Sequence, residues 1–150
     1  MPVTQLHLQR LSAFADVDLA LAPGINVLLG ANSTGKTHVL KWLYATLKTF
    51  EQPIEAGEAA LPRLKQKLAG VFLPDKRQVG RLVQRGLGAR GGSVRLAVDG
   101  RDLAFDLSPR GGVMGLTANW VGTAPCVFLP SREALAMYEG FVAAYTKREL

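Results

Sequence analysis

Gly30-Ala31-Asn32-Ser33-Thr34-Gly35-Lys36-Thr37 sets two glycines, a lysine and a hydroxyl residue at the G-x-x-x-x-G-K-[ST] spacing. Backbone N–H groups can close around a phosphate where no Cβ intervenes, and a helix N-terminus directly behind them aims its partial positive charge at the same anion. In that arrangement Lys36 reaches the β- and γ-phosphates, and the Thr37 hydroxyl ligates the Mg²⁺ that bridges them. The pattern predicts a nucleoside triphosphate site, with ATP and Mg²⁺ as the expected ligands. His38 follows at once and joins the candidate nucleotide-contacting set by position, while its side chain reads as packing of the helix.

Such a loop works only between a strand and a helix. Residues 25–29, Ile-Asn-Val-Leu-Leu, form a short apolar run after the Pro23-Gly24 turn signal, as expected of a buried parallel strand. A helix is predicted over 35–50, because Val39, Leu40, Leu43, Leu47 and Phe50 share one face and Pro53 stops the pattern. Upstream, residues 6–11 and 17–21 alternate apolar and polar as an opening β-hairpin. Downstream, 55–60 reads as a loop, and Leu61, Leu64, Leu68 and Val71 give a helix over 61–71. A second short helix is expected around 78–85, followed by a glycine-rich connection over 86–92. Strands over 93–98 and 103–107 are joined by Asp99-Gly100, a strong hairpin signal, and 111–123 reads as irregular. Residues 126–129 are another short apolar strand, ended by Pro130, and Ser131 can cap a helix over 132–147.

The 150 residues are the size of one domain, and 48% hydrophobic content suffices for a core. Neither a secretory leader nor an apolar run of about 18 residues occurs, and the single cysteine, Cys126, lies in an apolar stretch as a packed, reduced thiol would. A cytoplasmic protein with no membrane partner is expected. The net charge of +6 is concentrated between residues 63 and 101, where ten of the 18 basic residues meet only Asp75 and Asp99. That segment is a candidate DNA contact; the alternatives are a solvated helical face and a contact with an acidic region of the rest of the protein.

The order hairpin, Pro-Gly-Ile-Asn-Val-Leu-Leu-Gly-Ala-Asn-Ser-Thr-Gly-Lys-Thr, helix resembles the ABC-type ATPase heads of the SMC, RecF and OLD-like group, also described as AAA-family ATP-binding proteins. Asn32, two residues after the first glycine, and the preceding hairpin set the chain apart from small-molecule kinases. Residues 67–72, 80–83 and 127–133 extend the likeness. The resemblance implies an α/β P-loop NTPase fold, an ABC-ATPase-like core with an antiparallel β-subdomain, and an ATP-dependent homodimer in the full-length protein. It also implies a γ-phosphate sensor after residues 127–129, where related heads use a Gln and this chain offers Ser131 and Arg132; the alternatives are a helix cap and a surface arginine. Phe14 falls where related heads place a residue near the adenine, and equally suits a hairpin core.

Hydrolysis in this group requires a strand of four apolar residues ending in Asp-Glu, and no segment fits. The 150 residues are therefore expected to be the N-terminal portion of a single ATPase domain, with a basic helical segment over 61–92 and a hairpin over 93–107 within it. Catalytic carboxylates remain unassigned, and hydrolysis is expected only of the full-length protein. A nucleotide-dependent phosphotransferase with an arginine lid over 77–101 is the alternative from another class. Gly86-Leu87-Gly88-Ala89-Arg90-Gly91 satisfies G-x-G-x-x-G but follows a helical pattern and opens no helix, and neither His7 nor His38 has partners at metal-ligand spacing.

Overall fold

The computed structural model describes residues 2–51, 60–86, 90–118 and 125–129. Within them the chain forms an α/β arrangement: strands β1 (Val3–Leu11) and β2 (Phe14–Ala20), helices α1 (Lys36–Thr49) and α2 (Ala60–Phe72), then strands β3 (Gly92–Val98), β4 (Arg101–Ser108) and β5 (Gly112–Ala118). The strands make one antiparallel sheet in the order β2-β1-β3-β4-β5.

Alternation decides which face is buried. Leu6, Leu8, Val94, Leu96, Val98, Leu103, Phe105 and Leu107 all point inward and are almost fully buried. The opposite face carries Gln5, His7, Gln9, Asp16, Asp18, Arg95 and Asp102, in keeping with an antiparallel sheet wetted on one side. There His7 pairs with Asp16 at 2.8 Å, and the Gln5 amide donates to Asp18. The His7 hydrogen bond, followed by that from Gln9, holds the Asp16 carboxyl below its usual value.

The β3–β4 hairpin turns at Asp99 and Gly100, both in the left-handed region with φ of 53° and 73°, as a two-residue turn between twisted strands requires. The same register pairs Val98 with Arg101. Helices α1 and α2 start and stop within about one residue of the expected positions. Trp42, Ala45, Thr46 and Thr49 form the deep side of α1, and Leu64 and Leu68 that of α2. Among the expected stripe of α1, Val39 and Phe50 are buried, while Leu43 and Leu47 are half-buried and Leu40 is 46% exposed. These leucines, with Pro2, Val3, Leu21 and Leu28, line a separate apolar groove of about 340 Å³.

Four expectations are corrected. Residues 25–29 are extended but belong to no strand, and Ile25, Val27 and Leu29 are 92%, 70% and 89% exposed. Residues 126–129 likewise belong to no strand, and Val127 and Leu129 are exposed. A parallel strand exists only when a neighbour supplies its ladder, and among the described residues none does. In place of a helix over 78–85 the chain makes two 3-10 turns, Asp75–Arg77 and Val79–Leu82. Extended backbone at Gln78 (ψ 103°) and Val83 (ψ 133°) interrupts the helical path, and backbone bonds go to the first hairpin instead: Gln84 N–H donates to Arg10 O and Ser12 N–H to Leu82 O. Finally, Gly112–Ala118 is a strand, not irregular chain; glycines at positive φ (Gly112, Gly115) and a register shift opposite Ala104 and Asp106 erase its alternation. The helix expected over 132–147, the loop over 55–59 and part of the glycine-rich connection lie outside the described residues.

Candidate nucleotide-binding site

The segment that leads to the loop is clamped locally. Asn26 accepts from Ala22 N–H at 2.9 Å and donates to Ala22 O at 2.8 Å, which closes the turn through Gly24 at φ 94°. Leu28 points inward at the apolar groove beside α1. From there residues 30–34 run exposed over the end of α1. Ser33 takes a left-handed φ of 64°, and Gly35 caps the helix at φ 97° with no side-chain cap and no acid in the first turn. The helix therefore presents its uncompensated N-terminal partial charge to the loop.

Lys36 is the side chain that spans the loop. Its Nζ donates to Gly30 O at 2.7 Å and Ala31 O at 2.6 Å, and Thr34 Oγ1 donates to Ala31 O at 2.9 Å, so the loop is curled on itself with its cation over it. Thr37 is exposed in the first turn, and His38 is half-buried. The His38 ring meets the Phe72 ring edge-on at 5.6 Å, and Trp42 packs on Phe72 at 4.6 Å. Burial first, and Lys41 second, push the His38 pKa down. His38 Nδ1, Trp42 Nε1 and Thr46 Oγ1, spaced four residues apart along α1, are buried without a protein hydrogen-bond partner.

The structure puts Phe14 directly against the loop. A Cβ built on Gly35 would stand 2.6 Å from Phe14 Cζ, so the second glycine of the motif is required by the ring as well as by its φ. Phe14 is only 9% exposed and belongs to the apolar core. Sequence reasoning did not anticipate this contact, nor the packing of Phe72 on His38; both join residues more than 20 positions apart, beyond the reach of periodicity. Ser131 and Arg132 lie outside the described residues.

Residues 125–129 lie along α1. Glu51 accepts from Cys126 N–H at 3.3 Å and from Lys48 at 2.7 Å, and Phe128 packs on Tyr44 at 5.7 Å. The Lys48 hydrogen bond holds the Glu51 carboxyl below its usual value. Burial raises the Cys126 thiol pKa, so it is a packed thiol and not an activated one.

Comparison with known proteins points in one direction. Over 104 residues the chain is 33% identical to the DNA replication and repair protein RecF of Herpetosiphon aurantiacus, covering 61% of this chain and 27% of the relative. This chain is similar to RecF. Over 44 residues it is 48% identical to RecF of Edwardsiella ictaluri and 43% identical to that of Vibrio vulnificus strain YJ016, in each case 29% of this chain and 12% of the relative. The chain thus spans about a quarter or less of the length of these RecF proteins. No family model matches it. The likeness supports the RecF and SMC type of ATP-binding protein at the level of the group. No helix among the described residues is long and apolar enough to cross a membrane.

Proposed function

We propose that residues 30–37 are a P-loop that binds MgATP, and that the intact protein is a RecF-like ATPase head whose nucleotide cycle drives pairing of two heads and acts on DNA. One observation carries the reading: the G-x-x-x-x-G-K-T octet stands at an uncapped helix N-terminus, with Gly35 left-handed and Lys36 Nζ drawn over the loop. Phosphate oxygens would replace the Gly30 and Ala31 carbonyls as partners of Lys36, a charge-assisted exchange that favours the anion. Mg²⁺ suits this site as an ion carried by the nucleotide. Among the described residues no group of three or more His, Cys, Asp or Glu gathers to hold one, whereas Mg²⁺ takes most of its ligands from phosphates and water and needs little beyond the Thr37 hydroxyl. Hydrolysis belongs to the intact protein in this reading, and the 150-residue chain alone releases phosphate only at background.

Titration with a fluorescent ATP analogue tests the assignment. Lys36→Ala is expected to lower affinity by at least about tenfold, the loss of one charge-assisted contact, with thermal stability unchanged. Equal affinities would overturn it. Thr37→Ala is expected to weaken the response to magnesium while retaining metal-free binding.

A further inference from the structure

The ten basic residues between 63 and 101 do not form one patch. Lys67 is half-buried on α2, its pKa lowered by burial and by neighbouring Lys48 and Arg63. Arg95 lies on the wetted sheet face in a hollow shared with Asp18 and Asp102, and Arg101 stands at the tip of the β3–β4 hairpin. Of the other seven, Lys76, Arg77, Arg81 and Arg85 are all exposed and fall within ten residues of chain. Arg81 and Arg85 line a groove of about 380 Å³ whose far wall is Pro109, next to the exposed Arg110 on the β4–β5 turn. Gln78 and Gln84 add neutral amide donors to it.

The backbone of this groove is fixed. Gly80 is buried against the Ser108 and Pro109 carbonyls so closely that a Cβ would overlap Pro109 O. On the other side Val83 bridges to Leu11, and Gln84 N–H is held by Arg10 O. Long flexible cations thus stand on a rigid floor, which lowers the entropy lost on binding a polyanion. The acid nearest in sequence, Asp75, meets Arg81 at 3.5 Å in a pair that is largely exposed, and so competes only weakly. Among the described residues, no aromatic side chain lines the groove.

We infer that this groove, between the Val79–Leu82 turn and the β4–β5 turn, seats the phosphate backbone of DNA, with Arg81 and Arg85 as the principal phosphate contacts and Arg110 as the opposing one. The inference rests on the reading of the protein as one that acts on DNA, and adds where the strand is held. With cations and amides but no stacking surface, the groove binds without sequence preference and with the salt dependence of counterion release.

The test is anisotropy of a labelled DNA duplex of about 20 base pairs, titrated with the whole chain over a salt series. Arg81→Ala with Arg85→Ala is expected to reduce affinity by about tenfold or more at low salt, and to flatten the log–log salt slope by up to about 1.8, about 0.9 for each phosphate contact. Arg95→Ala with Arg101→Ala removes the same charge elsewhere and is expected to change affinity by no more than about twofold. Asp75→Asn, which releases Arg81, is expected to tighten binding, a gain that a merely structural role for these residues would not produce. Equal losses in the two double variants would overturn the groove in favour of bulk charge. Competition by polyglutamate as effective as by unlabelled duplex would overturn it in favour of an acidic polypeptide. Absence of DNA binding in a wild-type chain that still binds the analogue would reject the groove and leave the P-loop standing.

Discussion

Val94, Leu96 and Val98 in β3 and Ile25, Val27 and Leu29 before the glycine loop are runs of the same residue types, yet the first three are no more than 2% exposed and the second three at least 70%. The difference lies in their partners. β3 is flanked by β4 across a two-residue turn and by β1, so its ladders close on both sides and one face drops onto the helices. Residues 25–29 have α1 on one side, through Leu28, and no strand beside them among the described residues. Residues 126–129 repeat the situation: Phe128 and Cys126 touch α1 while Val127 and Leu129 face outward. An apolar run is buried only where a second layer covers it. Here the helices cover the inner face of the antiparallel sheet, and residues 30–37 are held instead by the Asn26 clamp, the Phe14 ring and the start of α1.

The strongest way to break this contrast is to truncate one residue on each side of it. Phe105→Ala, at a site 1% exposed in the sheet core, is expected to cost about 3–5 kcal/mol, whereas Val27→Ala is expected to stay within about 0.5 kcal/mol. Denaturant unfolding of both variants checks it, and a comparable loss at Val27 would mean that residues 25–29 are covered in solution. A smaller effect sharpens the role of Phe14. Gly35→Ala forces a side chain into left-handed φ and onto the ring, with an expected cost of about 1–3 kcal/mol together with loss of nucleotide affinity. Combined with Phe14→Ala, itself costly at a core ring only 9% exposed, it should lose less stability than the sum of the two single variants while the affinity stays lost; purely additive losses in the double variant would show that ring and glycine do not meet.

The smallest effect concerns pH. The His38 pKa is lowered on folding, mainly by burial, so the unfolded chain binds the proton more readily and stability falls as pH drops below about 6.5. His38→Phe should flatten the thermal midpoint between about pH 7.5 and 5, a window above the carboxylate range. An unchanged profile would place the titrating group elsewhere.

Much of this protein was legible without coordinates because its signals are local. The G-x-x-x-x-G-K-T octet, the 3.6-residue spacing in α1 and α2, and the Asp99-Gly100 turn between alternating strands each involve groups within about one or two turns of chain, where propensity and sterics decide. β5 escaped because its glycines remove the alternation that marks a strand, and the region of the two 3-10 turns escaped because residues of the first hairpin claim its backbone hydrogen bonds. Tertiary structure alone decided that Trp42, outside the expected stripe, is the largest fully buried side chain of α1, that Phe14 bears on Gly35, and that Arg81 and Arg85 share a groove with Pro109 while Arg95 and Arg101 do not. Each of those facts joins parts of the chain far apart in sequence, and burial, close approach and the pooling of charge depend on which distant surfaces meet, a property that no local pattern encodes.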